Sequence, residues 1–398
     1  MKFLRDYLDT IKPNFEKGGK YEKLHSTFDA FESFLFVPKH TTVKGAHIRD
    51  VRDLKRTMFM VVIALIPAML MGMFNVGYQH YNMLGEDAAI LQMFWFGFLK
   101  VLPIIIVSYV VGLGIEFMFA QLRGHEVNEG FLVTGLLIPL VVAADTPLWM
   151  VALATAFTVI IAKEVFGGTG MNVFNPALVA RAFLFFAYTP FISGDRVWVA
   201  GMSDADKIVD GFSGATPLTQ AVEAGSNHIT TLEGLLSSFT TTPTDWLIGT
   251  MPGSIGETSF IAIMLGAAIL IFTGVASWKT MISVFAGGAI MGLIFNIFGA
   301  GDPYMELPFY YHLLLGGFAF GAVFMATDPV TGSQTSKGKW IYGLLIGMLA
   351  VMIRVLNPAY PEGMMMSILF MNAMIPLIDY YIVDGNIKKR KKRTLAKN

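Results

Sequence analysis

Long apolar stretches recur along the whole chain and define its basic pattern. Ten of them are long enough, or nearly so, to cross about 30 Å of hydrocarbon as helices. They lie near 58–75, 96–119, 131–144, 148–162, 177–190, 258–275, 279–298, 309–326, 340–356 and 364–383. The polar stretch 191–257 separates the first five from the last five. The pattern predicts an all-α, polytopic membrane protein with ten transmembrane helices.

The two sets of five apolar stretches resemble each other. Three short patterns recur in the same order: Gly112-Leu113 with Gly292-Leu293, Asp145-Thr146-Pro147 with Asp328-Pro329, and Asn175-Pro176-Ala177 with Asn357-Pro358-Ala359. Because each half has an odd number of spans, the second half must be inverted relative to the first. The third spans are short or interrupted, at Gly135 and Pro139 and at Gly316, Gly317 and Gly321. Such spans indicate a site at the repeat interface, and close helix packing through small residues is the alternative.

Basic residues collect on alternate connections, which predicts the orientation. One side carries Lys39 to Arg56, Arg123, Lys163, Lys279, Lys337, Lys339 and the tail Lys388 to Arg393. By the positive-inside rule both termini are cytoplasmic and 191–257 faces outward. The predicted organisation is an N-terminal arm (1–56), a first five-helix repeat (57–190), a periplasmic connection (191–257), a second repeat (258–383) and a basic tail (384–398).

Composition narrows the possible chemistry. The chain is 54% hydrophobic and 15% charged, which is typical of a membrane protein. It has no cysteine, so disulfides, thiolate iron–sulfur ligation and thiol-linked flavins are excluded within it. The basic clusters flank apolar spans, so nucleic acid is not needed to explain them. Met1 to Thr10 carries four charges in place of the apolar core of a signal peptide.

The outward connection contains a D-x-x-S-G-A-T motif, a pattern whose last threonine serves as a covalent flavin site. It comprises Asp210, Ser213, Gly214, Ala215 and Thr216. A threonine hydroxyl joined to a flavin phosphate is compatible with the absence of cysteine. The alternative is a polar turn before Pro217 in which Gly214 takes a positive φ.

A second candidate is the glycine-rich connection after the fourth span. Gly167, Gly168 and Gly170 would let the backbone approach a planar ligand, and Asn172 and Asn175 offer amide donors and acceptors to a flavin ring. The connection is not a dinucleotide fingerprint, because no strand precedes it. A tight turn with asparagine capping is the alternative.

Ionisable residues in or beside the spans are few and are costly to bury in a membrane. Glu116, Glu126, Glu129 and Asp379 are candidates for a cation path. Mutual pairing, for example of Lys163 with Glu164, is the alternative. The histidines are too scattered for a haem or copper site, so no metal site is predicted. Before the first span, apolar stripes at Phe3 to Ile11 and at Phe28, Phe31 and Phe34 predict helices lying on the cytoplasmic leaflet.

The chain closely resembles the B subunit of the sodium-translocating NADH:quinone oxidoreductases over essentially its whole length. The resemblance rests on Asp210 to Thr216, Gly167 to Ala177, His125 to Gly130, the ten spans and the long basic arm. The arm distinguishes it from the D subunit of the related Rnf complex, which looks shorter before its first span.

The resemblance implies a role in a six-subunit complex of the bacterial inner membrane. FMN would be joined by a phosphoester to Thr216 by an exported flavin transferase, and the chain would also hold riboflavin near a ubiquinone site. Electrons that come from NADH through other subunits would pass from this FMN to riboflavin and then to ubiquinone, coupled to Na⁺ translocation. The alternatives are an Rnf subunit and a secondary transporter built on an inverted repeat.

Overall fold

All regular structure in the described part of the chain is helical. The computed structural model describes residues 2–16, 18–21, 25, 28, 32, 36, 42, 44–46, 54–123, 130–202, 212–226, 229, 231–299, 301–357 and 360–395. Among these residues there is no β-strand. The predicted all-α class is therefore confirmed.

Fifteen α-helices follow one another along these residues. The first half contains α1 (Lys2–Ile11), α2 (Leu54–Leu84), α3 (Ile90–Arg123), α4 (Phe131–Leu140), α5 (Leu148–Phe157) and α6 (Pro176–Ala187). The connection contains α7 (Pro217–Ser226), α8 (Leu232–Ser238) and α9 (Pro243–Ile248). The second half contains α10 (Phe260–Phe272), α11 (Trp278–Phe298), α12 (Phe309–Leu314), α13 (Phe318–Phe320), α14 (Ser336–Leu356) and α15 (Met364–Leu395).

Five of these helices are long and apolar enough to cross a membrane. They are α2, α3, α11, α14 and α15, whose most apolar windows have mean hydropathies of 1.6 to 2.3. Helices α4, α6 and α10 are apolar but shorter. Each of the ten predicted stretches overlaps helical structure. The chain is therefore a multi-pass membrane protein.

The third apolar stretch of each half is interrupted, as the sequence predicts. Helix α4 ends at Leu140, just after Pro139, and 141–147 are not helical. Helix α12 ends at Leu314, and a break at 315–317 precedes α13 and the π-helical Gly321–Met325. The break contains Gly316 at φ 63°, a conformation that other residues rarely adopt. Both breaks expose backbone polar groups that need partners inside the protein.

The connection 191–257 supplies partners to the first break. The backbone N–H groups of Ile255 and Gly256 donate to the carbonyls of Val142 and Leu140, at 3.2 and 2.7 Å. Helices α7 to α9 also share a small apolar core with the second break, made of buried residues that include Leu218, Leu235, Trp246, Leu307 and Leu315. The segment that follows Thr216 is therefore packed against the interrupted helices.

The N-terminal arm is described only in part. Helix α1 is present where the first stripe predicts it, and Arg5 and Lys12 both pair with Glu32 at 2.9 Å. Phe28 stacks on Phe15 with ring centroids 4.6 Å apart. Phe31 and Phe34 of the second stripe lie outside the described residues.

Candidate functional site

Thr216 lies at the N-terminus of α7 with its hydroxyl at the first turn. The Thr219 amide donates to Thr216 Oγ1 at 3.3 Å, and the two threonine hydroxyls are 3.0 Å apart. Pro217 is the first residue of the helix, where the missing N–H has no consequence. The side chain of Thr216 therefore occupies the position at which helix N–H groups and the helix dipole favour an anion.

The other motif residues hold this threonine in place. Ala215 is buried and its carbonyl accepts from Gln220 Nε2 at 3.0 Å, while exposed Ser213 accepts from the Ala215 amide at 3.3 Å. A Cβ on Gly214 would lie 2.5 Å from the Asp195 carbonyl oxygen and 2.7 Å from Met202 Sδ. Asp210 lies outside the described residues.

Gly214 is required for a different reason than the turn alternative assumes. Its φ is not in the left-handed region, so the positive φ considered for it is wrong. Glycine is needed there because the segment 195–202 packs directly against its Cα and leaves no space for a side chain.

Thr216 opens onto a cavity of about 710 Å³, which residues of α6 and of the segment before α10 also line. Aromatic and apolar walls come from Phe185, Trp198, Leu218 and Tyr360. The polar wall comes from Arg181, Ser254, Glu257 and Glu362. A flat ring with polar edges matches this combination of surfaces.

The polar wall is a buried ion-pair cluster centred on Arg181 of α6. Its Nη1 donates to Glu257 Oε1 at 2.6 Å, and its Nη2 donates to Glu362 Oε2 at 2.7 Å and to Ser254 Oγ at 3.3 Å. The three partners belong to two connections, one before α10 and one between α14 and α15. Arg181 thereby joins segments 76 and 181 residues distant in sequence.

Burial shifts the pKa values of two side chains in the connection between α14 and α15. It raises the pKa of the Glu362 carboxyl to about 7, although the charge of Arg181 acts in the opposite direction. Burial also raises the pKa of Tyr360, whose hydroxyl donates to Glu362 Oε2 at 3.3 Å. Glu362 is therefore poised to exchange a proton near neutral pH.

A second cavity, of about 790 Å³, lies at the N-terminus of α6 and the C-terminus of α10, whose opposite ends face the cavity beside Thr216. Both predicted asparagines, Asn172 and Asn175, line it together with Lys163, Thr169 and Asp328. Burial raises the pKa of Asp328, which accepts from the Val330 amide at 3.0 Å. The sequence reasoning noted Asp328 only as half of a repeated pattern and missed its place in this cavity.

The two asparagines also serve the local backbone. Asn175 Oδ1 accepts from the Ala177 and Leu178 amides and caps α6. Asn172 Nδ2 donates to the Phe174 carbonyl at 3.1 Å. The alternative considered for this connection, a turn with asparagine capping, is therefore present. Both asparagines nevertheless line the cavity as well.

The glycines of this connection shape a turn and are not cavity wall. Gly167, Gly168 and Gly170 have φ of 119°, 95° and 92°. A Cβ on Gly170 would meet nothing within 4 Å, so no close approach of a ligand is needed to explain it. Their conformation, and not the space around them, accounts for these glycines.

Two of the four carboxylates proposed for a cation path, Glu116 and Asp379, have partners within the protein. Glu116 forms a buried ion pair with Lys163, and Glu164 pairs with Arg123 at 3.0 Å. Mutual pairing, the alternative considered for these residues, is therefore found, but not between Lys163 and Glu164, the pair given as its example. Glu126 and Glu129 lie outside the described residues.

Asp379 on α15 connects that helix to the preceding loop. Its carboxylate accepts from Ser333 Oγ at 2.7 Å, Thr335 Oγ1 at 2.6 Å and the Gln334 amide at 2.9 Å. Among the residues that the structure describes, no group of three or more histidine, aspartate or glutamate side chains is placed to hold a metal ion.

The site combines a threonine at a helix terminus, a cavity beside it and a second cavity at the other end of the helices, all within a multi-pass helical membrane protein. A model of the NQR2, RnfD, RnfE family matches residues 41–388. The chain belongs to this family.

Curated relatives match the chain over almost its whole length. The B subunit of a Na(+)-translocating NADH-quinone reductase from Klebsiella pneumoniae strain 342 is 45% identical over 98% of this chain and 99% of its own. The protein of that name from Chromohalobacter salexigens is 44% identical over 99% of this chain and 97% of its own. The protein of that name from Neisseria meningitidis serogroup A is 45% identical over 98% of this chain and 99% of its own.

Proposed function

We propose that this chain is the B subunit of a Na⁺-translocating NADH:quinone oxidoreductase. It carries electrons from FMN linked to Thr216, by way of riboflavin, to ubiquinone, coupled to Na⁺ movement. The similarity to proteins of that name over nearly the full length of both chains carries the proposal. The relatives also cover most of the N-terminal arm, which the family model, starting at residue 41, does not. This favours the B subunit over an Rnf subunit.

The residues around Thr216 suit a flavin joined through its phosphate. A phosphoester on Thr216 Oγ1 would place the phosphate at the N-terminus of α7, near the Thr219 amide. The ring would enter the adjacent cavity between Phe185, Trp198 and Tyr360. The bound flavin supplies the electron chemistry, and the protein supplies orientation and electrostatics.

The second cavity is the site that we propose for riboflavin. Asn172 and Asn175 line it with amide groups, and Lys163 and Asp328 add charged atoms at its edge. The two cavities lie at opposite ends of α6 and α10, so an electron path between them would cross the membrane-spanning part. Ubiquinone would be reduced on the cytoplasmic side, near Gly167, Gly168 and Gly170 and the N-terminal arm.

The proposed topology has ten spans arranged as two inverted repeats, with both termini in the cytoplasm and the protein in the bacterial inner membrane. The paired interruptions after Leu140 and Leu314 support it. The outer connection 191–257 would expose Thr216 to an exported flavin transferase. Na⁺, membrane lipid and the other subunits of the complex are the remaining partners, with Glu116, Glu126, Glu129 and Asp379 as cation-path candidates.

Covalent flavin on Thr216 is the decisive test. The purified chain, produced in cells that contain the transferase, should keep flavin fluorescence after denaturation in a gel, and Thr216→Ala should lose it. Thr231→Ala is the matched control, because Thr231 also caps an outer helix through its hydroxyl but lies on an exposed surface. A wild-type chain without bound flavin in such cells would contradict the proposal and favour a secondary transporter.

A further inference from the structure

The buried charges beside Thr216 extend beyond Arg181 to a second arginine. Arg354 of α14 is fully buried and donates through Nη2 to the Glu362 carbonyl at 3.2 Å and through Nη1 to the His312 carbonyl at 2.6 Å. Two arginines and two glutamates, Glu257 and Glu362, thus form one buried cluster, in which Arg181 and both glutamates line the cavity and Arg354 lies behind them. With both carboxylates ionised the cluster has no net charge.

An electron that arrives in this cavity would disturb that balance. A negative charge in a buried site interacts strongly with its neighbours, because little water is present to screen it. A proton on one of the adjacent carboxylates would compensate the added negative charge, because it gives the cluster a net positive charge. The cluster is therefore suited to couple reduction to proton uptake.

Glu362 is the carboxylate best placed to take that proton. Its side chain is 17% exposed, compared with 8% for Glu257, so it has the better access to water. Burial raises the pKa of Glu362 to about 7, so a modest change in the local potential shifts its protonation. The groups that face it are Arg181, Glu257, Arg354 and Tyr360.

Several buried polar atoms beside the cluster have no partner among the described residues. Tyr304 Oη, both ring nitrogens of His312 and Arg354 Nε are buried and make no hydrogen bond to the described residues. The rings of Tyr304 and His312 are 5.9 Å apart. Buried polar atoms of this kind are normally satisfied by ordered water. Arg354 belongs to the cluster and donates to the His312 carbonyl, so these atoms extend from the cluster to the connection that contains Tyr304.

We propose that Glu362 binds a proton from the outer aqueous phase when the flavin on Thr216 is reduced, and releases it when that flavin is oxidised again. This inference rests on the proposed function, which supplies the electron from a reduced flavin carrier upstream in the complex. The electron stays on the flavin, and the proton forms one O–H bond on the Glu362 carboxylate. Glu362 acts as a positioning residue that sets the flavin potential.

The potential of the flavin reports this coupling directly. In the flavinylated full-length chain, the one-electron reduction potential of the flavin should fall with pH above about 7 more steeply than the flavin's own protonation explains. The extra fall should reach at most about 59 mV per pH unit, which is a tenfold change in the equilibrium constant. Below pH 7 Glu362 is already protonated and adds nothing. Glu362→Gln should remove the extra slope above pH 7 only. Spectroelectrochemical titration at several pH values measures both.

Glu223→Gln is the matched control, since Glu223 lies on the exposed side of α7, seven positions after Thr216, and lies outside the cavity wall. It should keep the wild-type slope. An equal slope in wild type and Glu362→Gln would overturn the inference while leaving covalent flavin, and thus the proposed function, intact. A chain without flavin on Thr216 would overturn both.

Infrared difference spectroscopy of the wild-type chain tests the inference without any substitution. Reduction at pH 8 should produce the C=O band of a protonated carboxyl group, and the band should be absent in Glu362→Gln. If no such band forms in the wild type, Glu362 takes up no proton and the inference is wrong.

Discussion

Gly317 shows how tightly single residues constrain the cavity beside Thr216. A Cβ at this position would lie 2.6 Å from Glu257 Oε1 and 2.9 Å from Glu362 Oε1. The φ of Gly317 is −76°, which any residue can adopt, so an alanine would be strained by contact alone. Since Arg181 holds both carboxylates, they cannot move away without loss of the ion pairs.

We therefore expect Gly317→Ala to lower the free energy of unfolding by about 1–3 kcal/mol, the usual cost of overpacking. The thermal unfolding midpoint of the purified chain in detergent measures the effect. Gly114→Ala is the control, because a Cβ on this exposed residue of α3 would meet nothing within 4 Å. A midpoint equal to that of the wild type would show that the carboxylates are free to move.

At the same scale, the chemical type of each site residue could be read from the sequence, but its neighbours could not. Thr216 stands out because the motif and the missing cysteines single out a hydroxyl. For Gly214 the sequence suggests a turn conformation, whereas the structure shows that packing against 195–202 requires it. A glycine that serves a tight turn and one that serves close packing look the same in a sequence.

At the scale of elements, the buried pair Glu116–Lys163 joins α3 to the π-helical segment Thr158–Glu164 that follows α5. Removal of one partner leaves an unpaired buried charge. We expect Lys163→Met to cost about 3–5 kcal/mol, whereas Lys163→Met with Glu116→Leu should regain most of it. A double-mutant cycle on unfolding free energies measures the coupling.

Arg123→Met provides the comparison for this pair, because Arg123 pairs with Glu164 but is 37% exposed. Its loss should cost less, since water can screen the remaining charge. If the double variant at Glu116 and Lys163 is as unstable as the single one, the pair is not the source of the stabilisation. Glu116 then stays open as a ligand for a cation.

Hydropathy located the helices well because burial in lipid demands long apolar runs. It could not pair the charges on them. Lys163 and Glu164 are adjacent in sequence, which suggests that they interact, but neighbouring residues on a helix point in different directions. Both residues form ion pairs with α3, the helix that packs against this segment: Lys163 with Glu116 and Glu164 with Arg123.

At the scale of the whole molecule, the absence of cysteine offers a clean test of the proposed topology. Glu86→Cys and Ser237→Cys, both at exposed positions on the proposed outer side, should react with a membrane-impermeant maleimide on intact cells. Met171→Cys and Lys388→Cys should react only after the cells are opened. Labelling of Met171→Cys in intact cells would contradict the inverted arrangement and the cytoplasmic placement of the second cavity.

The sequence by itself determined the helical class and the positions of the helices, because these depend on local composition. It also predicted a hydroxyl, that of Thr216, as the flavin attachment point, because that prediction depends on chemical type. The tertiary structure alone decided that Arg181 joins Glu257 and Glu362, which lie 76 and 181 residues away. It also decided that this cluster forms a wall of the cavity beside Thr216. The physical reason is that ion pairing in a buried site depends on which distant segments meet there, and no local pattern records that meeting.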